Sequence, residues 1–281
     1  MSRMGMNGYG RPRRFNPRIV IALIIGAIAV GGYFLRTSVN PVTGEKQHLS
    51  LTVDQEIAMG LQSAPEMARE FGGPDPDPRK AELAERVGQS LVAAIPRAGD
   101  VYPFAFHVLA DRKTVNAFAL PGGQVFIAAA LFDRLQTEGQ LAGVLGHEIG
   151  HVVHRHSAEH MAKAGLIQGV TGAVVVGATD PNDPRSRGIA MAAMMAGQMI
   201  NLKYGRDDEG EADRVGVEYM VKAGYDPRAM IRVMEILKEA SGGGGQPEWM
   251  SSHPDPGNRA EAIAAQIKAA FPQGVPSGLK E

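Results

Sequence analysis

The chain has 281 residues with 29 Lys+Arg against 30 Asp+Glu, a formal charge of −1, and that balance excludes a general nucleic-acid or polyanion binder. Hydrophobic residues make up 44% and charged residues 21%, the composition of a globular chain rather than a disordered one. Cysteine is absent, which excludes disulfide frameworks, iron–sulfur clusters, thiolate zinc sites and cysteine nucleophiles, so any metal must sit on His, Asp or Glu.

In chain order, residues 1–18 form a basic tail with Arg3, Arg11, Arg13, Arg14 and Arg18 and no acid. Ile19 to Leu35 then runs without a charge and is closed by Arg36. As a helix this segment covers roughly 25 Å, and flanking Arg side chains with Tyr33 can reach the membrane interface. It is apolar all round, unlike a core helix, and no A-x-A-like cleavage site follows, so an uncleaved transmembrane anchor is expected. The Arg excess ahead of it puts the N-terminus in the cytoplasm and the remainder on the periplasmic or extracytoplasmic face of the cell inner membrane.

Residues 36–50 read as a polar connector, and a single domain is expected over 51–270. Leu51 to Phe71 is helical in pattern, the run Gly72 to Pro78 is a break, and Arg79 to Ile95 is an amphipathic helix with Leu83, Val87, Leu91 and Val92 on one face. Phe104 to Leu109, Val115 to Leu120 and Gln124 to Ala128 are strand-like, the last two joined as a hairpin by Pro121-Gly122-Gly123. A long helix-rich stretch begins near Leu131. Ala164 to Thr179 and Ile189 to Ile200, either side of the loop Asp180 to Arg187, are each shorter than a membrane span and predict a helical hairpin lying on the main domain, the alternative being an element that dips into the membrane. Ser241 to Gly244 reads as a flexible loop and residues 271–281 as a disordered tail. Strands that come together rather than alternating with helices make this an α+β fold, mostly helical with a small sheet of about three strands.

Five of the eight histidines, His147, His151, His154, His156 and His160, lie within fourteen residues. Gly146-His147-Glu148-Ile149-Gly150-His151 contains HExxH inside a helix-compatible run, and composition alone would yield that pattern in roughly one chain in seventy. On a helix, residues i and i+4 share a face, so His147 and His151 can direct both imidazoles at one metal. Glu148 is placed to take the proton of a metal-bound water.

Two imidazoles leave a zinc site too open, so a third ligand is needed. His154 sits about 10.5 Å along the helix from His147, too far unless the helix breaks; His154 and His156 are expected to support the site or face solvent. Glu209, Glu211 and Asp213 precede an amphipathic run from Val215 to Val221. Glu209 and Asp213 share a face while Glu211 points elsewhere; one of the pair can ligate the metal and the other can hold a ligating imidazole by its second N–H.

HEIGHVVHRHS followed some fifty residues later by ExEAD resembles the gluzincin peptidase family of HtpX, the CAAX prenyl proteases and the mitochondrial Oma-type proteases, and is most similar to its periplasmic BepA-like branch. The resemblance extends to Asn40-Pro41-Val42-Thr43-Gly44, to Asn116-Ala117-Phe118-Ala119-Leu120-Pro121-Gly122-Gly123, to Ala223-Gly224-Tyr225-Asp226-Pro227, and to Ser252-His253-Pro254 with Arg259 beyond. It implies a zincin-type domain with one Zn2+ per chain held by His147, His151 and Glu209, and Asp213 as a support. It also implies a substrate strand added along an edge near Asn116, Ala117 and Phe118. His253 becomes a candidate regulatory ligand or transition-state stabiliser, beside the plainer reading of a loop histidine against Trp249, and Arg259 a candidate support. The Ser-Arg pair common before the glutamate helix is Gly205-Arg206 here, and the tetratricopeptide extension of BepA-like members is not expected to carry over.

The expected function is a membrane-anchored zinc metalloendopeptidase acting on polypeptides, misfolded or misassembled envelope proteins, with no nucleic-acid partner. The alternative is a proteolytically latent chaperone or assembly factor of the envelope, which has no use for Glu148 as a base.

Overall fold

Pro17, with a φ suited to a first helical turn, opens α1 (Pro17–Leu35), the uncharged run expected as the anchor. No residue of α1 is buried, and it is long and apolar enough to cross a membrane. The computed structural model describes residues 17–178, 204–241, 248–253 and 258–281. Most of the basic tail, the hairpin's loop and second arm, and all but the first residue of the expected Ser241 to Gly244 loop lie outside the described residues.

Contacts divide the chain into two units, residues 1–32 with 165–199, and residues 33–164 with 200–281. In the first, α1 lies along the later part of α7 (His156–Ala178) through small side chains. A Cβ added at Gly26 would stand 3.7 Å from that of Ala173, and Gly177 and Gly169 face Ala22 and Ala29 at still shorter range. The arm expected to lie on the main domain therefore groups with the anchor helix, because small residues on both surfaces let the backbones approach closely.

The second unit begins with β1 (Thr37–Val39) and β2 (Lys46–His48), an antiparallel hairpin where a connector was expected. Thr52 then caps α2 (Val53–Glu70) in a capping box with Gln55. Asp77 with Pro78 starts α3 (Pro78–Ala93), which buries Val87, Leu91 and Val92, and α4 (Ala98–Val101) follows. The expected sheet is present as β3 (Ala105–Leu109), β4 (Ala117–Leu120) and β5 (Gln124–Ala128), in the order β3-β5-β4. Fully buried β5 runs parallel to β3 and antiparallel to β4, so β4 is an edge strand. The β4–β5 turn needs glycine: Gly122 and Gly123 have φ of 83° and 106°, and a Cβ on Gly122 would meet the Ile57 backbone of α2 at 2.4 Å.

The helix-rich stretch expected from near Leu131 comprises α5 (Ala129–Phe132), α6 (Glu138–Val153) and α7. The break between α6 and α7 falls at Arg155, whose φ is 59°. That buried guanidinium donates to Glu56 Oε1 at 2.9 Å and to Leu51 O at 3.0 Å, which holds the turn. After them come α8 (Arg206–Lys222), α9 (Arg228–Ser241), α10 (Glu248–Ser252) and α11 (Arg259–Ala270). The last eleven residues, expected to be disordered, fold back instead: Asp226 N donates to Lys280 O at 2.8 Å and Lys280 N to Gly224 O at 2.9 Å.

Candidate metal centre

Every residue of α6 from Gly139 to Val153 is buried, which accounts for a sequence apolar on all faces except where it carries chemistry. Thr137 Oγ1 accepts from Gln140 N at 3.2 Å at its start. At its end the connector hairpin satisfies carbonyls that a helix leaves open: Asn40 Nδ2 donates to Val153 O at 2.8 Å and Gln47 Nε2 to His154 O at 2.6 Å.

One turn apart on this helix, His147 and His151 bring their Nε2 atoms to 3.0 Å. α8 packs across α6, and from its first turn Glu209 places Oε2 3.5 Å from His147 Nε2 and Oε1 3.5 Å from His151 Nε2. His253, immediately after α10, adds Nδ1 at 3.3 Å from His147 Nε2 and 3.0 Å from Glu209 Oε1. All four residues are buried. Donors bonded tetrahedrally to one zinc at about 2.0 Å stand about 3.3 Å apart. The spacing of these three imidazoles and one carboxylate fits such an ion, and the donor types are those zinc takes.

The groups are held from behind. Asp213 Oδ1 lies 2.9 Å from His147 Nδ1, which keeps a proton on that nitrogen and leaves the Nε2 lone pair for a metal. Arg259, 4% exposed, donates to both oxygens of Asp213 at 2.6 and 2.9 Å, pairs with Glu209 Oε2 at 3.0 Å, and lies over the Trp249 ring at 4.7 Å. On the other flank, His151 Nδ1 is 2.9 Å from His156 Nδ1, and His156 Nε2 is 3.2 Å from Glu211 Oε2. Tyr204 stacks on the His151 ring at 4.2 Å and hydrogen-bonds Ser157 Oγ at 2.7 Å.

The field is strongly negative. Burial by itself lowers the basicity of His147, yet Asp213 and Glu209 overcome it and raise its pKa to about 9. Glu209 stays well below the usual carboxylate range against the opposing effect of burial, through hydrogen bonds from His147 and His253. Asp213 is likewise lowered despite burial, by His147 and Arg259. His151 is pushed well below its ordinary value by burial and by the neighbouring His147. A field that draws a proton to an imidazole draws a cation to the same place.

Glu148, 1% exposed, accepts from Trp249 Nε1 at 3.4 Å and lies 3.6 Å from His253 Nε2. The edge strand stands nearby. Asn116 O accepts from Ala128 N at 3.0 Å, Ala117 and Phe118 pair with Ile127 and Phe126 of β5, and Trp249 N donates to Val115 O at 3.3 Å. A cavity of about 370 Å³, walled by Leu120, Pro121, Met59, Met161, Tyr204 and Ser252, opens beside the end of β4.

His147, Glu148, His151, Glu209, Asp213, His253 and Arg259 thus converge, and Asn116 to Phe118 border them. His253 stacks 4.8 Å from Trp249, as the plainer expectation had it, and the same ring sets Nδ1 beside His147 and Glu209. His154 stays away from the four donors, as its distance along the helix predicts. Tyr204 and the His156–Glu211 pairing were not foreseen: nothing local marks Tyr204, and Glu211 meets His156 only through the crossing of α8 with the α6–α7 turn.

Peptidase family M48 matches residues 78–267. The beta-barrel assembly-enhancing protease of Yersinia pestis is 32% identical over 84% of this chain and 50% of its own length. A putative beta-barrel assembly-enhancing protease of Vibrio cholerae is 35% identical over 78% of this chain and 45% of its own. The mitochondrial metalloendopeptidase OMA1 of Bos taurus is 30% identical over 88% of this chain and 49% of its own. The chain spans about half the length of these relatives.

Proposed function

This chain belongs to peptidase family M48, and from that premise we propose that it is a membrane-anchored zinc metalloendopeptidase whose ion is held by His147, His151 and Glu209. The observation that carries the reading is the meeting of these donors at 3.0 to 3.5 Å with Glu148 alongside. Bound zinc supplies an acidified water and polarises the scissile carbonyl.

The chain's own residues do the rest. Glu148 is general base: its carboxylate takes the proton of the attacking water and returns it to the leaving amine. Asp213 and Arg259 fix the tautomer and position of His147. A substrate strand adds to the free edge of β4 at Asn116, Ala117 and Phe118, and the cavity at the end of β4 takes an apolar side chain. Substrates are misfolded or misassembled envelope proteins, on the analogy of the beta-barrel assembly-enhancing relatives. The Arg-rich N-terminus stays in the cytoplasm, with α1 in the inner membrane and the catalytic unit on the extracytoplasmic side.

A second reading draws support from His253. With its Nδ1 3.0 Å from Glu209 Oε1 it fills a position that an active zinc peptidase leaves to water, so the resting enzyme is latent and the α10 segment must withdraw before cleavage. A chain that never withdrew it would be a holdase. The deciding test is casein hydrolysis by the full chain in detergent beside Glu148→Gln and His253→Ala, with zinc quantified in each. Zinc throughout, no turnover in Glu148→Gln and faster turnover in His253→Ala is the expected result. Absence of zinc from the wild type overturns the metalloprotease, and zinc without cleavage even in His253→Ala favours the holdase.

A further inference from the structure

The left-handed turn at Arg155 does more than separate α6 from α7. It directs His154 and His156, two residues apart, at one carboxylate oxygen: His154 Nδ1 and His156 Nε2 each lie 3.2 Å from Glu211 Oε2. Glu45 Oε2 stands 3.6 Å from the same His154 nitrogen. One donor atom each from His154, His156 and Glu211 falls within 4.8 Å of the others. His154 Nδ1 is buried and makes no hydrogen bond, an unusual state for an imidazole aimed at a carboxylate. The Glu211 and Glu45 side chains are 32% and 54% exposed, so the cluster is open to ions from solvent.

We propose that His154, His156 and Glu211, with Glu45 at the rim, form a second and exchangeable site for a divalent first-row transition ion, zinc foremost, and that filling it weakens the ion held by His147, His151 and Glu209. Two imidazoles and a carboxylate suit zinc, nickel or copper, whereas calcium and magnesium take oxygen ligands. The spacings of 3.2 and 3.6 Å again match ligands about 2.0 Å from one ion.

The antagonism follows from counting protons, and it rests on the reading of His151 as a ligand. With Nε2 on the metal, His151 carries its proton on Nδ1 and donates it to His156 Nδ1 across 2.9 Å. His156 then carries its own proton on Nε2 and donates it to Glu211 Oε2 at 3.2 Å. An ion in the second site takes the His156 Nε2 lone pair, so the proton there transfers to Nδ1. Two N–H donors now face each other, and His151 loses the acceptor that orients it. Losing such a partner costs about 10–100-fold in metal affinity, and by linkage each ion weakens the other by the same factor.

Equilibrium dialysis of the full chain in detergent against buffered free Zn2+, with zinc counted per chain by elemental analysis, tests this. Wild type should show a tight and a weak class, two ions per chain at saturation. His154→Gln should lose the weak class and keep the tight one. Glu45→Gln, which keeps the side chain's shape at an exposed position, should weaken only the weak class. His151→Ala should lose the tight class and strengthen the weak one by about tenfold or more. A wild type that saturates at one ion, with that ion lost in His151→Ala and kept in His154→Gln, overturns the second site and leaves the first standing. The reverse pattern sinks the catalytic reading instead. Two ions retained in a folded His154→Gln also overturn the proposal.

Discussion

Glu209 reaches the α6 histidines only because α6 and α8 cross at glycine, and two glycines one turn apart in α6 should respond oppositely to alanine. An added Cβ at Gly150 would meet Val215 Cγ2 at 2.9 Å and the Ala212 backbone at 3.2 and 3.3 Å. One at Gly146 would find nothing nearer than Gly216 O at 3.4 Å, an ordinary contact. Gly→Ala within a helix gains about 1 kcal/mol from propensity, while forcing a methyl into a filled core costs about 1–3 kcal/mol. Val215 is β-branched, with a helical rotamer that leaves its methyl little room to turn away, and the Ala212 contacts are backbone, so the helices themselves must part. Gly146→Ala should therefore be neutral or up to about 1 kcal/mol more stable, and Gly150→Ala up to about 2 kcal/mol less stable. In a domain of this size each kcal/mol moves Tm by about 2–4 °C. Thermal unfolding of the metal-loaded chain reads the first effect. Zinc retention against a chelator reads the second, since parting α8 from α6 draws Glu209 off the histidines. A Gly150→Ala chain that melts with Gly146→Ala and holds zinc like wild type would refute the claim that this crossing sets the site.

Zinc should stabilise the fold more as pH rises. The His147 pKa stands at about 9 in the metal-free fold against an ordinary 6.5, so its protonated pairing supports that fold fully below pH 6.5 and is lost as pH climbs through 9. An ion must displace that proton, so its affinity grows by up to about tenfold per pH unit across the same window. The Tm difference with and without chelator at pH 6, 7 and 8 should widen steadily, and a constant difference would remove His147 from the ligand set. Asn40→Ala leaves the buried Val153 carbonyl without its donor and should cost about 1–3 kcal/mol. Asn40→Asp should be no better, because it keeps the turn-accepting oxygen and still cannot donate; an aspartate variant with wild-type Tm would assign the motif to the turn alone.

Local spacing made part of the centre legible. The i, i+4 histidines share a helix face whatever surrounds them, and an acid-rich helix start advertises carboxylates near a positive helix end. What spacing could not decide was which of Glu209 and Asp213 stands at the imidazole Nε2 atoms and which behind an imidazole, since both lie on one stripe; the α6–α8 crossing sets Glu209 at Nε2 of His147 and His151 and Asp213 at Nδ1 of His147. The hairpin β4–β5 was readable from Pro121-Gly122-Gly123. The three-residue strands of the Asn40 hairpin were not, being too short for alternation to show. The break at Arg155 escaped as well, because arginine is no turn former, and its left-handed backbone is imposed by a pairing with Glu56, 99 positions away. The C-terminal residues look disordered by composition and are held by backbone bonds to the α8–α9 turn.

Charge balance joins these local and long-range features. Glu209 and Asp213 are each 2% exposed, and Arg259 at 4% is a buried guanidinium that faces both. Two carboxylates against one guanidinium leave a negative charge in a place where unpaired charge costs several kcal/mol. A proton on His147 beside Glu209 and Asp213 offsets it, which is why its pKa climbs to about 9 in the metal-free fold. A metal cation offsets it in the proton's place and asks for no further protein group. Neither HExxH nor the acid-rich stretch reveals this alone, because the deficit exists only once α6, α8 and α11 are packed together.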